Sequence, residues 1–286
     1  MLSCNLGGFI EFCGVRYMID LHSHILPGVD DGAQTLDDAI NMGRMAVEDG
    51  IEVMACTPHF MPGMYDNTSF DIRQRVASLN QVFIREGIDL ALVVGSDAHI
   101  RPDFIECLDK GEILTVHDSR YVLFEPPHNM KPQKLEELLF NITMSDYVPI
   151  LTHPERLKWI EQHYDVMQQL AESGVWMQIT AGSITGRFGK RPQYWAQRML
   201  SEGLVNILAS DAHNIRSRPP VLSEAFEFAK NELGLEEATN LVITRPECVL
   251  ANLPPAEAPV TPKLQADKTK VGKQGNLLRR LFGMNT

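Results

Sequence analysis

Short apolar runs alternate with amphipathic, helix-like segments along most of the chain. The runs are "YMIDLH", "IEVMACT", "DLALVVGS", "YVLFE", "VPILTH", "VWMQIT" and "LVNILASD". Each is continuous, as strands buried on both faces are, rather than alternating. The segment "TLDDAINMGRMAVEDG" reads as a helix with Thr35 as N-cap, Asp38 three residues later and Gly50 as its stop. Its apolar positions Leu36, Ile40, Gly43 and Val47 recur at helical spacing and predict the buried face. Further helices are predicted over residues 68–86 (ending near Gly87), after Pro102, from Pro132, around 156–173, around 190–202, and twice over 220–251. Seven strand–helix units in alternation predict parallel strands with crossover helices, an α/β fold. About 240 residues suffice for a closed parallel barrel; a doubly wound open sheet is the alternative.

The polar residues fall at the ends of these strands. His22 and His24 end the first, Asp31 follows after a Pro-Gly turn, and His59 follows the second. Asp97 follows the third, Glu125 ends the fourth, His153 ends the fifth, and Asp211 and His213 end the seventh. In a parallel barrel all strand C-termini lie on one rim, where barrel active sites are built. The barrel therefore brings distant residues to one mouth.

Composition narrows the classes. The 286 residues are 44% apolar and 22% charged, ordinary for a globular chain. A net charge of −11 argues against a general nucleic-acid binder. No run of 18 apolar residues predicts a membrane span, and the first residues lack the basic n-region of a secretory signal. The five cysteines (Cys4, Cys13, Cys56, Cys107, Cys248) are scattered and form no C-x-x-C, which reads as reduced thiols in a cytoplasmic protein. None has an arginine six positions on, the spacing of the cysteine-based phosphatases.

Five histidines and four carboxylates are too many ligands for one ion. Imidazole with carboxylate suits Mn, Fe, Zn, Co and Ni, and the lack of thiolates disfavours a structural zinc site. Two or three divalent ions a few ångströms apart fit better. Such a cluster clamps phosphate and readies water, so phosphoester hydrolysis is the natural reaction. Arg156 in "HPER" and Arg218 after "SDAHN" are the leading phosphate ligands, with Arg216 and Arg187 weaker candidates. His99, His117, His128 and His163 are left outside the set; for His99 and His128 the alternatives are lining the cleft and a plain surface role, and the surface role is expected.

"MIDLHSHILPGVDDGA", "TPH", "GSD", "THPER" and "SDAHN" together resemble the polymerase-and-histidinol-phosphatase (PHP) superfamily, and within it the bacterial capsule-type tyrosine phosphatases, CpsB/CapC. The likeness runs from about Met18 to Asn252. It implies a distorted (β/α)7 barrel over residues 18–253 and a trinuclear divalent cluster, manganese first among the metals. The implied substrate is phosphotyrosine on the tail of a membrane-associated bacterial tyrosine kinase that controls capsule or exopolysaccharide export. By the same resemblance, His22, His24, Asp97 and Asp211 hold the first metal, Asp97, Glu125 and His153 the second, and Asp31, His59 and His213 the third. Arg156 and Arg218 match phosphate-contacting arginines, and Asp211 or His213 is the candidate proton donor to the leaving phenolate. Two positions depart from the family: Asp97 stands where glutamate is usual, and Phe60 where a second histidine is common. Relatives commonly begin at the methionine of "MIDLHSH", so Met18 is the expected start and residues 1–17 an upstream extension.

Residues 254–286 carry six Lys/Arg and two Asp/Glu, hence +4, and are expected to form a flexible basic tail. Leu277, Leu278, Leu281 and Phe282 share one potential helical face that would dock to a partner or a membrane surface. Two competing functions stay open at this point: a small-molecule phosphatase of the histidinol-phosphate type, and a metal-bound protein that holds a phosphopeptide without turnover.

Overall fold

The computed structural model describes residues 17–263. The upstream extension (apart from Tyr17) and the amphipathic end of the tail lie outside the described residues. Among the described residues nine strand segments are present: β1 (Met18–Ser23), β2 (Ile51–Cys56), β3 (His59–Phe60), β4 (Ala91–Val94), β5 (Asp97–His99), β6 (Tyr121–Glu125), β7 (Val148–Thr152), β8 (Trp176–Thr180) and β9 (Ile207–Ala209). All pair in parallel, in the orders β1-β2-β4 and β3-β5-β6-β7-β8-β9. β2 runs on into β3 and β4 into β5 after two residues each, so the segments occupy seven strand positions. A parallel bridge between Ser23 and Ala212, with His24 N donating to Ala212 O (2.8 Å) and Asp211 N to His22 O (2.9 Å), joins the last position to the first. The distorted (β/α)7 barrel is thus the architecture found, and the open sheet is not.

The barrel carries its chemistry on top of a core. Residues alternate sides along a strand, so Tyr121, Leu123 and Glu125 share one face of β6. Ile207 and Ala209 share a face of β9 that leads on to Asp211. Tyr121, Leu123 and Ile207 pack with Ile19, Leu21, Ile150 and Trp176 in one cluster, and the polar member stands at the strand's C-terminal end. β1 obeys this only through a bulge. Asp20 pairs with Met54 and Ser23 with Cys56, so β1 has one extra residue just where His22 lies. Bulges of this kind re-aim a side chain.

The helices form an outer layer: α1 (Leu36–Glu48), α2 (Ser69–Glu86), α3 (Phe104–Asp109), α4 (Leu135–Met144), α5 (Tyr164–Glu172), α6 (Ala181–Ile184), α7 (Lys190–Ser201), α8 (Ser223–Leu233), α9 (Leu235–Thr239) and α10 (Arg245–Leu250). α1 opens with a capping box, Thr35 Oγ1 accepting from Asp38 N at 3.1 Å and Asp38 Oδ2 accepting from Thr35 N at 3.0 Å. Its buried face is Ala39, Met42, Gly43 and Ala46, while Leu36 and Val47 are exposed. The expected face was therefore rotated by about one residue. Close helix packing is the reason: a side chain on Gly43 would come within 2.6 Å of the Phe83 ring of α2. The helix expected around 156–173 is broken into two 3-10 turns (Pro154–Arg156 and Ile160–Gln162) followed by α5.

Residues 254–263, which composition assigns to the tail, pack on the barrel. Ala258 and Thr261 are buried, and Lys263 N donates to Gly203 O at 3.2 Å. Cys56, Cys107 and Cys248 are free thiols, all buried. Among the described residues no helix is long and apolar enough to cross a membrane.

Candidate metal centre

The turn that separates His24 from the paired aspartates is a compact clip. Gly28 N donates to Ala33 O (2.8 Å) and Ala33 N to His24 O (2.9 Å). Gly28 takes a left-handed φ of 69°, and a side chain on Gly32 would sit 2.0 Å from the His24 carbonyl oxygen, so both glycines are required. The two aspartates then divide the work. Asp30 Oδ2 accepts from His24 Nδ1 (2.7 Å) and from His59 N (3.1 Å), fixing both histidines. Asp31, half exposed, faces His59 Nε2 (3.4 Å) and His213 Nε2 (3.3 Å).

The other strand ends converge on the same point. His22 Nε2 lies 3.4 Å from Asp211 Oδ1 and 3.6 Å from Asp97 Oδ2, and His24 Nε2 lies 3.4 Å from Asp211 Oδ1. His59 Nδ1 is 3.4 Å from both Asp97 Oδ2 and Glu125 Oε2, and His153 Nε2 is 3.4 Å from Glu125 Oε1. All nine residues named from the sequence are thus brought together.

These separations are informative. An N–H···O hydrogen bond is about 2.7–3.2 Å long. Two ligands on one ion, each bonded at about 2.1 Å, stand roughly 3.0–3.5 Å apart. The contacts at 3.3–3.4 Å belong with the second pattern, and the one at 3.6 Å, His22 to Asp97, lies just beyond it. Several of the atoms concerned are buried without a hydrogen-bond partner: His59 Nδ1, Asp97 Oδ2, Asp211 Oδ1 and His213 Nε2. Buried polar atoms left unpaired are costly, and a cation satisfies several at once, so the donor set fits divalent metals. Among the described residues four groups have ligand atoms within 4.8 Å of one another: His24/Asp31/His59/His213, His22/His24/Asp211, His59/His99/Glu125 and Glu125/His128/His153. Asp97, the residue with the shorter carboxylate arm, is in none of these groups.

A second layer makes contacts of hydrogen-bond length. His22 Nδ1 meets Gln178 Oε1 at 2.9 Å. Glu125 is held by His99 Nε2 (2.5 Å) and His128 Nε2 (3.1 Å). His99 and His128 therefore belong to the centre, against the surface role expected of them. The sequence carries a signal for His99: the tetrapeptide Ser-Asp-Ala-His occurs at 96–99 and again at 210–213, so the two histidines hold equivalent places after their apolar runs. His117 is exposed, and His163 packs near Trp159.

Two arginines close the rim. His153 has a left-handed φ of 35°, and the 3-10 turn that follows, with Arg156 N donating to His153 O at 3.0 Å, folds Arg156 back onto Asp211 Oδ2. Asn214 Oδ1 accepts from the Arg216 and Ser217 amides (2.9 and 2.8 Å), and this turn carries Arg218 Nη2 to 2.6 Å from Asp211 Oδ2, the oxygen that Arg156 also meets. Arg187 instead pairs with Glu224, and Arg216 is exposed. With two guanidiniums on its carboxylate, Asp211 has no proton to give. Burial opposes its ionisation, but Arg156, His22 and Arg218 hold it far below the usual carboxylate range. His213 Nδ1 lies 3.0 Å from the carbonyl of Asp211, and burial together with charge on His24 lowers its pKa to about 4.

Burial also disfavours charge on His24 and His59, yet their carboxylate neighbours outweigh it. Asp30 and Asp211 raise His24 to about 9, and Asp31, Asp97 and Glu125 raise His59 to about 11. Protons and divalent cations compete for the same lone pairs here, so metal uptake releases protons. Mn2+ affinity, measured by competition with a chelating dye, falls from pH 8 to pH 6 by about tenfold per pH unit for each proton displaced. An affinity flat across that range would contradict the arrangement.

Residues 18–251 match the family described as capsular polysaccharide synthesis, CpsB/CapC. The tyrosine-protein phosphatase YwqE of Bacillus subtilis (strain 168) is 36% identical over 219 residues, 77% of this chain and 86% of that protein. The tyrosine-protein phosphatase CpsB of Streptococcus pneumoniae is 28% identical over 238 residues, 82% of this chain and 98% of that one. A crystal structure from a study of these two, called unique metal-dependent tyrosine phosphatases, superimposes with a TM-score of 0.80 at 35% identity, covering 83% of this chain and 96% of that chain. A histidinol phosphate phosphatase of Lactococcus lactis, in complex with zinc, L-histidinol and phosphate, superimposes with a TM-score of 0.50 at 14% identity over 77% of this chain and 93% of that one, a likeness of fold alone.

Proposed function

Because the chain belongs to the CpsB/CapC family of capsular polysaccharide synthesis, we propose that it is a metal-dependent protein-tyrosine phosphatase, using two or three divalent ions with manganese first among them. The observation that carries this reading is the set of imidazole–carboxylate separations of 3.3–3.6 Å around unpartnered buried atoms. His22, His24, Asp97 and Asp211 are assigned to one ion, Asp97, Glu125 and His153 to a second, and Asp31, His59 and His213 to a third. When bound, such ions activate water and neutralise phosphoryl oxygens. Arg156 and Arg218 turn from Asp211 to hold the phosphoryl oxygens and stabilise charge as the bond to tyrosine breaks. Tyrosine phenolate, of pKa about 10, leaves without strong acid assistance, so neither Asp211 nor His213 is needed as a donor. The substrate we assign is the phosphotyrosine tail of a tyrosine kinase acting in capsule or exopolysaccharide export.

Phosphate release from a phosphotyrosyl peptide and from histidinol phosphate, with Mn2+ and with a chelator, tests the reading. Expected are turnover of the peptide, loss of it on chelation, and at least about a hundredfold preference over histidinol phosphate, since a phenolate is the better leaving group. A preference for histidinol phosphate, or peptide binding without turnover at full metal occupancy, would overturn it.

A further inference from the structure

One aromatic ring touches both rim arginines. The centroid of Phe188 lies 5.0 Å from Cζ of Arg156 and 5.7 Å from Cζ of Arg218. The five residues between α6 and α7 are shaped to put it there. Gly186 (φ 87°) and Gly189 (φ 90°) take left-handed backbone on either side of the ring. Arg187 N donates to Gly182 O at 2.8 Å, and a side chain on Gly182 would meet Phe188 Cε2 at 3.1 Å, so glycine there lets the ring lie close over α6. The neighbouring Arg187 side chain reaches Glu224 of α8 (3.0 and 2.9 Å) and pins the loop from outside.

Two guanidiniums drawn to the single oxygen Asp211 Oδ2 repel each other. The negative face of an aromatic ring attracts both and offsets that repulsion. A planar guanidinium also loses less freedom per hydrogen bond when it is already stacked. Arg218 Nε is buried with no acceptor in the protein, a donor kept available. We propose that Phe188 is a positioning residue that holds Arg156 and Arg218 side by side as one phosphate clamp. The proposal rests on the phosphatase reading for the phosphate it names, and on the ring geometry for the residue.

The test is calorimetric titration of Mn2+-loaded protein with inorganic phosphate, alongside peptide kinetics. Phe188→Leu fills much of the same space without a π face. It is expected to bind phosphate about tenfold more weakly, as loss of two modest cation–π contacts predicts. KM should rise, kcat should fall as well because the same arginines stabilise charge as the bond breaks, and metal content should be unchanged. Phe188→Tyr keeps the face and should keep the wild-type phosphate affinity. Three results would overturn the proposal: a leucine variant that binds phosphate as the wild type does, a tyrosine variant as weak as the leucine one, or a wild type that binds no phosphate. A wild type that binds phosphate but leaves the peptide intact removes the phosphatase reading alone, and the phosphate titrations of the two variants still decide for or against Phe188.

Discussion

Replacing His22 and His24 together by alanine lowers phosphate release by at least about a thousandfold, the scale of losing the groups that hold a catalytic metal in place. The two rings are buried, their Nε2 atoms are 3.2 Å apart, and both face Asp211 Oδ1. Each is oriented from behind, His22 by Gln178 and His24 by Asp30. The double change therefore removes two ligands and strands two orienting groups. Asp211 keeps its pairing with Arg156 and Arg218, and the apolar core below the site is untouched. The barrel is accordingly expected to keep its circular-dichroism spectrum while elemental analysis shows loss of at least one equivalent of metal. Wild-type turnover in that variant, or full metal content with no turnover, would each sink the assignment of these histidines as ligands.

The parts of this molecule legible in its sequence are those set by one strand at a time. A short apolar run followed by a polar residue marks a buried parallel strand and its rim end, and His22, His59, Glu125, His153 and Asp211 all follow that rule. Features that depend on two elements meeting were hidden. The bulge in β1 is defined against β2, and it decides where His22 points. Gly43 of α1 looked like one apolar position among four, but it marks the closest approach of α2 and shifts the buried face. His99 and His128 join the centre only because both reach Glu125. The segment after His153 has helical periodicity, yet a left-handed His153 and Pro154 break it so that Arg156 returns to the rim. Composition likewise placed the tail's beginning at Pro254. It carried no trace of the acceptors, at Pro259 and Val260, that a buried arginine would find there.

That arginine carries the largest expected effect on stability. Arg245→Ala is expected to cost about 3–5 kcal/mol, as removing one partner of a buried ion pair does. Arg245 is fully buried at the start of α10. Its guanidinium pairs with Glu237 of α9 (2.8 and 3.0 Å) and donates to the carbonyls of Asn206 (3.3 Å), Pro259 (2.9 Å) and Val260 (3.3 Å). Asn206 immediately precedes β9, at the end of the barrel away from the metal centre. One planar fork thus ties α9, the last strand and the packed part of the tail together, and its removal leaves a carboxylate and three carbonyls short of a donor. The midpoint of thermal unfolding should fall by roughly 10 °C, taking about 2–4 °C per kcal/mol for a domain of this size. Lysine should not restore it, because a single ammonium cannot reach acceptors on several sides. Deletion from Pro259 onward removes two of the same acceptors and should destabilise in the same direction. KM for a phosphotyrosyl peptide, measured well below the lowered midpoint, should match the wild type. An unchanged midpoint in Arg245→Ala would mean that the fork does not hold the segment, and a changed KM would mean that the barrel's two ends are coupled.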